Sequence, residues 1–227
     1  MSASLKKMFD SISDYYDIMN HLLTAGRDIR WRKRAVKLVT STKTTRVLDL
    51  CGGTGDFSQE FSKNNPVSLQ LIGDFSFNML TYAQKKNKVR TIQLDALNLP
   101  LKKNTFDLVM NGFGMRNLDC LDQGLKEVER VLEVDGDFIT LEFFKPSRCI
   151  PKVFYKYLAP VVLPLPSLIF RKDAPAYKYL VRSIHAFVTV EEYSKRCEDA
   201  GFVIKNIIPC DGGIAHIVHV QKGEKSE

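Results

Sequence analysis

Val47 to Phe57 constrains this chain more than any other stretch: VLDLCGGTGDF. An apolar run closes on Asp49, and Gly52, Gly53 and Gly55 follow almost at once. A polar, helix-forming stretch comes next. A strand that ends in a turn too tight for side chains and then feeds a helix brings bare backbone close to a ligand. Nucleotide-like cofactors are the usual ligands of such a turn.

From Arg46 the same strand-then-helix alternation repeats. RVLDL predicts a strand and GDFSQEFSKN a helix. SLQLIGDF and SFNMLTYAQKKN form a second such pair, VRTIQLDA a third strand and TFDLVMNGFG a fourth. CLDQGLKEVERVL places Leu121, Leu125, Val128 and Leu132 on one helical face, and GDFITLEFF follows as a fifth strand. TVEEYSKRCEDAG reads as another helix. FVIKNIIPC and IAHIVHVQK, joined by a short DGG loop, read as antiparallel neighbours. The alternation implies an α/β fold of the Rossmann-like class: a mainly parallel seven-stranded sheet with helices on both faces and an antiparallel C-terminal strand. We expect a single domain over residues 1–227. Residues 1–42 form an N-terminal helical cap, and residues 146–188 an apolar insertion on the substrate side.

In an open α/β sheet, ligands bind at the carboxyl ends of the strands. The dinucleotide fingerprint GxGxxG is only half met, because Gly53 and Gly55 are followed by Ser58 at the third place. Acids fit better. Asp49 closes the first strand, Asp74 the second and Asp95 the third. Asp74 is placed to accept hydrogen bonds from ribose hydroxyls, and Asp95 to accept one from an exocyclic adenine amine. Ala96 would offer its backbone N–H to a ring nitrogen. Asp49, beside the glycines, suits a cationic ligand end or orients the loop. Ribose and adenine recognition without a pyrophosphate motif points to S-adenosyl-L-methionine as cofactor, held by Asp49, Gly53, Gly55, Asp74, Asp95 and Ala96. Nothing suggests a metal ligand set.

Composition narrows the surroundings. The formal charge is +7, which serves solubility and equally favours nucleic acid or an anionic membrane surface. Cys51, Cys120, Cys149, Cys197 and Cys210 form no CxxC pair, so a reducing, cytoplasmic setting is expected. No signal peptide is visible at the N-terminus. Residues 150–170 are the most hydrophobic stretch, but Pro160, Pro164 and Pro166 interrupt any spanning helix.

Five segments resemble the ubiquinone/menaquinone biosynthesis C-methyltransferases, a family of class I S-adenosylmethionine-dependent enzymes. They are FDSISDYYDIMNHLLTAGRDIRW, RVLDLCGGTGDF, FGMRNLDC, ERVLEVDGDFITLEFFKP and YKYLVRSIHAF. The chain departs from the family pattern at Asp28, where histidine is usual, and at Phe144, where serine is usual. Glu133 and Asp135 replace Lys and Gly, and Gly112 stands where serine is common. The resemblance adds Thr54 and Gly112 to the cofactor contacts. It implies methyl transfer to a ring carbon of a polyprenylated quinol, in menaquinone or ubiquinone biosynthesis.

Ring-carbon attack needs phenolate character at a neighbouring hydroxyl. Arg116 and Asn117 follow the fourth strand, beside the site implied for the methyl group. Arg116 would stabilise phenolate charge and Asn117 orient the hydroxyl; a structural salt bridge is an equal reading of Arg116. Tyr16, Asp14 and His21 lie on the N-terminal segment, where each could position a quinol or relay a proton; for Tyr16, packing is an equal reading. The apolar insertion would take the isoprenoid tail or meet the bilayer, with the basic helix of residues 27–37 against anionic lipid. A core lid or a homodimer contact would explain it as well. Another small phenolic or lipid acceptor, a nucleic-acid methyltransferase and a non-catalytic cofactor-binding partner subunit stay open. The second lacks a recognisable catalytic motif, and no nucleic acid partner is expected.

Overall fold

The computed structural model describes residues 8–11, 16–39, 45–63, 65, 67–87, 89–147 and 174–223. Residues 8–11 form one helical turn. Helix α1 (Tyr16–Leu23) and helix α2 (Arg27–Val36) follow, separated by Gly26 at φ 70°. Then come β1 (Thr45–Leu50), α3 (Asp56–Ser62), β2 (Val67–Asp74), α4 (Phe77–Asn87) and β3 (Arg90–Gln93). After β4 (Phe106–Gly112), a 3₁₀ turn (Met115–Asn117) leads to α5 (Leu121–Val131) and β5 (Leu132–Glu142). Next come α6 (Ala174–Ala186), which falls within the expected insertion of residues 146–188, then α7 (Val190–Asp199), β6 (Phe202–Cys210) and β7 (Ala215–Lys222). Residues 148–173 of that insertion, the apolar stretch 150–170 among them, lie outside the described residues.

The strands form one seven-stranded sheet in the order β3-β2-β1-β4-β5-β7-β6. The pairs from β3 to β5 are parallel, and β7 runs antiparallel to both neighbours. The C-terminal hairpin expected from the short DGG loop is therefore present.

Alternation along β1 shows how the sheet is covered. Val47 packs with Trp31, Ala35, Phe57 and Phe61 of α2 and α3. Leu48 and Leu50 pack with Leu125, Val128 and Tyr193 of α5 and α7. Successive strand side chains point to opposite faces, so two cores form, one on each side. The leucine and valine face expected on α5 is buried, but Leu132 belongs to β5. The strand starts there rather than at Gly136, with Asp135 at φ 62° and a register shift opposite residues 106–108. A Cβ on Gly136 would lie 2.9 Å from the Glu133 carbonyl oxygen, so the irregular turn requires glycine. Helix α7 opens with a capping box: Thr189 accepts from the Glu192 amide and the Glu192 side chain accepts from the Thr189 amide.

The parallel strands bring Asp49, Asp74 and the start of the 112–117 loop to the same sheet edge. The N-terminal helices reach across that edge. The Thr54 hydroxyl donates to Asp17 of α1, and Lys86 of α4 donates to Asp17 at 2.7 Å.

Candidate active site

The glycine turn forms the floor of a cleft with about 850 Å³ of empty space. Gly53 and Gly55 sit at φ 55° and 82°, in the left-handed region that other residues enter at a cost. Gly52 is held by closeness instead, since a Cβ there would lie 2.8 Å from Asp49 Cγ and 2.9 Å from Ile72 Cγ2. Cys51 occupies φ 53°, an uncommon conformation for a residue with a Cβ.

Asp49, Asp74, Asp95 and Ala96 all line this cleft, as do Gly53, Thr54 and Gly112. Asp74 accepts from the Gly53 amide at 3.0 Å and the Ser76 amide at 2.8 Å. Burial nevertheless raises its pKa from the ordinary value, against the pull of those amides. Asp95 accepts from the Leu97 amide at 3.0 Å. Asp49 has no exposed surface and accepts from the Ser58 amide at 2.9 Å. Burial pushes its pKa up to about 7, against opposing pulls from Ser58 and Arg32. The Ser58 hydroxyl lies near enough to exert that pull but makes no well-formed hydrogen bond, so Asp49 Oδ1 has no partner. A Cβ at Gly112 would press on Phe57 Cδ1 at 3.2 Å, so the serine common at this place would require Phe57 to shift. Gly55 shapes the turn but is not part of the cleft wall.

A second cavity of about 700 Å³ adjoins the first. Tyr16 and Phe113 belong to the walls of both. Phe113 and Phe143 stack at 4.6 Å, and Trp31 meets Phe143 edge-on at 6.1 Å. Leu23, Leu180, Ile184 and Ile214 complete an apolar chamber. Tyr16, Asn20, Thr24, Arg27, Asp28 and Arg116 bring polar groups to its wall.

The structure separates the Arg116–Asn117 pair between the two cavities. Arg116 lines the second, while Asn117 lines the first. Arg116 Nη1 donates to Glu142 Oε1 at 2.7 Å and to the Phe113 carbonyl at 2.5 Å. Its Nε donates to Ser183 at 3.3 Å. Nη2 has no partner among the described residues, so one edge of the guanidinium stays available to the chamber. Burial works against the Arg116 charge, but Glu142 more than offsets it and the pKa rises. For Glu142, burial outweighs the pairing and the pKa also rises. The two shifts disagree on what the pair gains. Three N–H donors converge on Glu142, from Arg116 Nη1 and the amides of Arg116 and Phe143, and favour the ionised pair at neutral pH. Asn117 is fixed by the Tyr179 hydroxyl at 2.8 Å and donates to the Phe113 carbonyl.

Tyr16 lies at the junction. Burial raises its pKa, although a hydrogen bond with Asn20 and the charges of Arg116 and Arg32 pull it down. It is therefore a neutral phenol at physiological pH, able to donate but not to act as a base. His21 lines neither cavity; its Nδ1 meets Asp28 at 2.8 Å. Asp14 lies outside the described residues.

A charge network absent from the sequence reading links the cavities. Buried Arg32 pairs with Asp28 in the chamber and lies 3.6 Å from Asp56 in the cleft. Burial opposes the Asp28 charge, but Arg32 and Thr24 outweigh it and hold its pKa low. Lys86 pairs with Asp56 and Asp17. The i,i+4 spacing of Asp28 and Arg32 was a readable signal. Their distant partners were not. Ligand atoms of His21, Asp28 and Asp56 lie within 4.8 Å of one another, a metal-like grouping, but Arg32 pairs with both carboxylates. The unusual Asp28 thus bears on the site. Phe144 does not: it is buried in the core between Phe187 and Tyr193.

These residues fit S-adenosylmethionine. The strand-end acids suit ribose and adenine, and an unpartnered buried carboxylate oxygen suits a cationic ligand.

A profile described as the ubiE/COQ5 methyltransferase family matches residues 1–222. Demethylmenaquinone methyltransferases of Staphylococcus aureus strains JH9 and Newman are 34% identical over 224 residues, covering 96% of this chain and 92% of theirs. Among solved structures, a methyltransferase in complex with the Haloferax volcanii Trm112 activator superposes with TM-score 0.72 at 13% identity, over 95% of this chain and 98% of that one. An S-adenosylmethionine-dependent methyltransferase from Thermotoga maritima gives 0.68 at 18%, over 95% and 99%. At such identities these two speak for the fold.

Proposed function

The chain belongs to the ubiE/COQ5 methyltransferase family, and from that premise we propose that it methylates a ring carbon of demethylmenaquinol, in the two adjoining cavities described above. It is an S-adenosylmethionine-dependent methyltransferase of quinone biosynthesis. The observation that carries the substrate reading is the contact between the cavities. An acid-lined cleft and an aromatic chamber share Tyr16 and Phe113, so a ring in the chamber lies next to a ligand in the cleft.

When bound, S-adenosylmethionine supplies an electrophilic methyl group. Asp74, Asp95 and Ala96 would hold its adenosine, the glycine turn its amino-acid end, and Asp49, buried beneath that turn, would face its positive charge. The chain must then raise the nucleophilicity of a ring carbon and align it. Trp31, Phe113 and Phe143 form one aromatic wall against which the quinol ring packs. The free Nη2 of Arg116 stabilises a hydroxyl oxygen as it gains phenolate charge. Glu142 fixes the guanidinium so that this donor is aimed before substrate arrives. Tyr16 donates a hydrogen bond at the junction, and Asn117, held by Tyr179, borders the cleft side. Alignment at near-attack distance adds to this stabilisation.

A polyprenyl tail also needs somewhere to go. Helices α1 and α2, which wall the chamber, turn Ile18, Leu22 and Ile29 to solvent at 58%, 48% and 40% exposure. Arg27, Arg30, Lys33, Arg34 and Lys37 are exposed on α2 and just beyond it. No helix among the described residues is long and apolar enough to cross a membrane. We therefore place the enzyme peripherally, at the cytoplasmic face of an anionic bilayer, through these helices. It should sediment with anionic vesicles at low salt and leave them at high salt, and Ile18→Ser with Leu22→Ser should weaken this. Equal binding to neutral vesicles, or none to either, would remove the membrane from the account.

The enzymatic test uses purified protein, S-adenosylmethionine and chemically reduced demethylmenaquinone in detergent, read by mass spectrometry. Methylated naphthoquinone is the expected product. Turnover of small phenols with none of the quinol would contradict the reading.

A further inference from the structure

The cofactor cleft has a charge imbalance. Asp49, Asp56, Asp74 and Asp95 line it against one cation, Arg32. Arg32 is already paired with Asp28 and Asp56, and Lys86 also neutralises Asp56. Both oxygens of Asp74 take backbone amides, and half-buried Asp95 takes one on Oδ1. Asp49 alone among them combines complete burial with an oxygen that has no partner. Its sheet neighbours Ile72 and Met110 bring no charge. From the helices, Arg32 pulls towards ionisation and Asp56 pushes against it. In the loop beside it, the Cys51 thiol is pushed well up by burial and by the surrounding acids Asp74, Asp49, Glu142 and Asp95, so it stays neutral and brings no charge.

We propose that Asp49 holds a proton while the cleft is empty and releases it to solvent when a sulfonium nucleoside binds, so that this residue distinguishes the cationic cofactor from its thioether product. The proposal rests on the reading of this cleft as the cofactor site. The step balances simply: the carboxyl O–H breaks, the proton goes to buffer, and the carboxylate keeps the electron pair. It then faces a ligand of opposite charge. No redox partner is needed. Once the sulfur is uncharged, the fully buried carboxylate loses that counter-charge, and taking a proton back is favoured. Product would thus be held less firmly than cofactor at the pH where Asp49 titrates.

The geometry explains why neither neighbour can do this. Asp74 takes backbone amides on both carboxylate oxygens and Asp95 is only half-buried, and the sequence places them at the strand ends suited to ribose and adenine. Only Asp49 lies beneath the glycine turn, with Gly52 packed against its carboxyl carbon.

Calorimetry without quinol tests this, using S-adenosylmethionine and S-adenosylhomocysteine in buffers of different ionisation enthalpy. With Asp49 titrating at about 7, the cofactor should release roughly nine-tenths of a proton at pH 6 and about one-tenth at pH 8. S-adenosylhomocysteine should release less than about half as much at pH 6, and the affinity ratio of cofactor to product should rise about tenfold from pH 6 to pH 8. Asp49→Asn, an isostere of the protonated acid, should bind both nucleosides with no proton release and a pH-independent ratio. Equal release with both ligands would overturn the proposal, because Asp49 would then answer to the shared amino-acid end. So would release that survives in Asp49→Asn, or none in the parent protein. Failure to bind either nucleoside would instead overturn the cofactor reading itself, and the proposal with it.

Discussion

Replacing Glu142 with glutamine preserves volume but removes the counter-charge of Arg116. In the native protein Glu142 is fully buried and the Arg116 side chain is 6% exposed. Glu142 takes Nη1 on Oε1 at 2.7 Å, together with the Phe143 amide at 2.8 Å, and the Arg116 amide on Oε2 at 3.2 Å. Glutamine offers one acceptor oxygen and one NH₂ group, so one of these N–H groups must face another donor. Leaving a buried guanidinium without its partner costs about 3–5 kcal/mol. For a chain of this size that corresponds to a melting-temperature loss of roughly 6–20 °C. The nucleoside site should be spared, because Glu142 lines neither cavity. S-adenosylhomocysteine affinity at a temperature where the variant is folded should stay within about twofold, while quinol kcat/KM falls about 10- to 100-fold as Arg116 loses its aim. Differential scanning calorimetry, nucleoside titration and quinol kinetics on the same preparation give all three. The double variant Glu142→Gln/Arg116→Met should melt above Glu142→Gln alone, since no charge is then left buried unpaired. A melting shift under about 2 °C, or a double variant less stable than either single one, would refute the buried-pair reasoning.

Arg116→Lys should lower kcat about tenfold or more with nucleoside affinity nearly unchanged, because lysine cannot span Glu142, the Phe113 carbonyl and the substrate together. Arg116→Met should lose more, with partial recovery at higher pH as the quinol ionises unaided; stopped-flow single turnovers across pH read both. Asp74→Ala should weaken S-adenosylhomocysteine binding by about 1.5–3 kcal/mol, measured calorimetrically, and unchanged affinity in a folded variant would exclude Asp74 from the ribose site. Asp49→Asn should also alter stability. A carboxyl whose folded pKa is raised to about 7 favours the fold below its unfolded pKa and loses that advantage as pH rises through about 7. The parent should therefore lose roughly 2–3 kcal/mol between pH 5 and pH 8 that Asp49→Asn keeps, as chemical denaturation would show.

The contrast between what the sequence disclosed and what it hid follows from range. Strands were legible because each is a short apolar run bounded by turn residues. Asp49, Asp74 and Asp95 were legible because strand ends are visible in such a pattern. Leu132 was misread as helical because its burial satisfies either period, and only the turn at Asp135 assigns it to β5. The partners that hold the cleft residues from behind are not legible in the sequence. Thr54 was expected to touch the cofactor; it lines the cleft, but its hydroxyl is given to Asp17, 37 residues away. Lys86 reaches Asp17 across 69 residues. Glu142 did leave a signal, an acid inside the apolar run FITLEFF, but its partner lies 26 residues before it. Asn117 and Arg116 are adjacent in sequence yet serve different cavities, because the 3₁₀ turn directs consecutive side chains apart. The residues from 150 to 170, assigned to the isoprenoid tail by composition, lie outside the described residues.

The central claim is that nucleoside and quinol ring meet across Tyr16 and Phe113. A crystal structure with S-adenosylhomocysteine and a tail-less naphthoquinol tests it most directly. The account predicts adenosine on Asp74, Asp95 and Ala96. It predicts the quinol ring against the wall of Trp31, Phe113 and Phe143, one hydroxyl within hydrogen-bond distance of Arg116 Nη2, and an unsubstituted ring carbon facing the sulfur. A ring bound away from that chamber, or a hydroxyl that ignores Arg116 while the ring carbon still faces the sulfur, would contradict it.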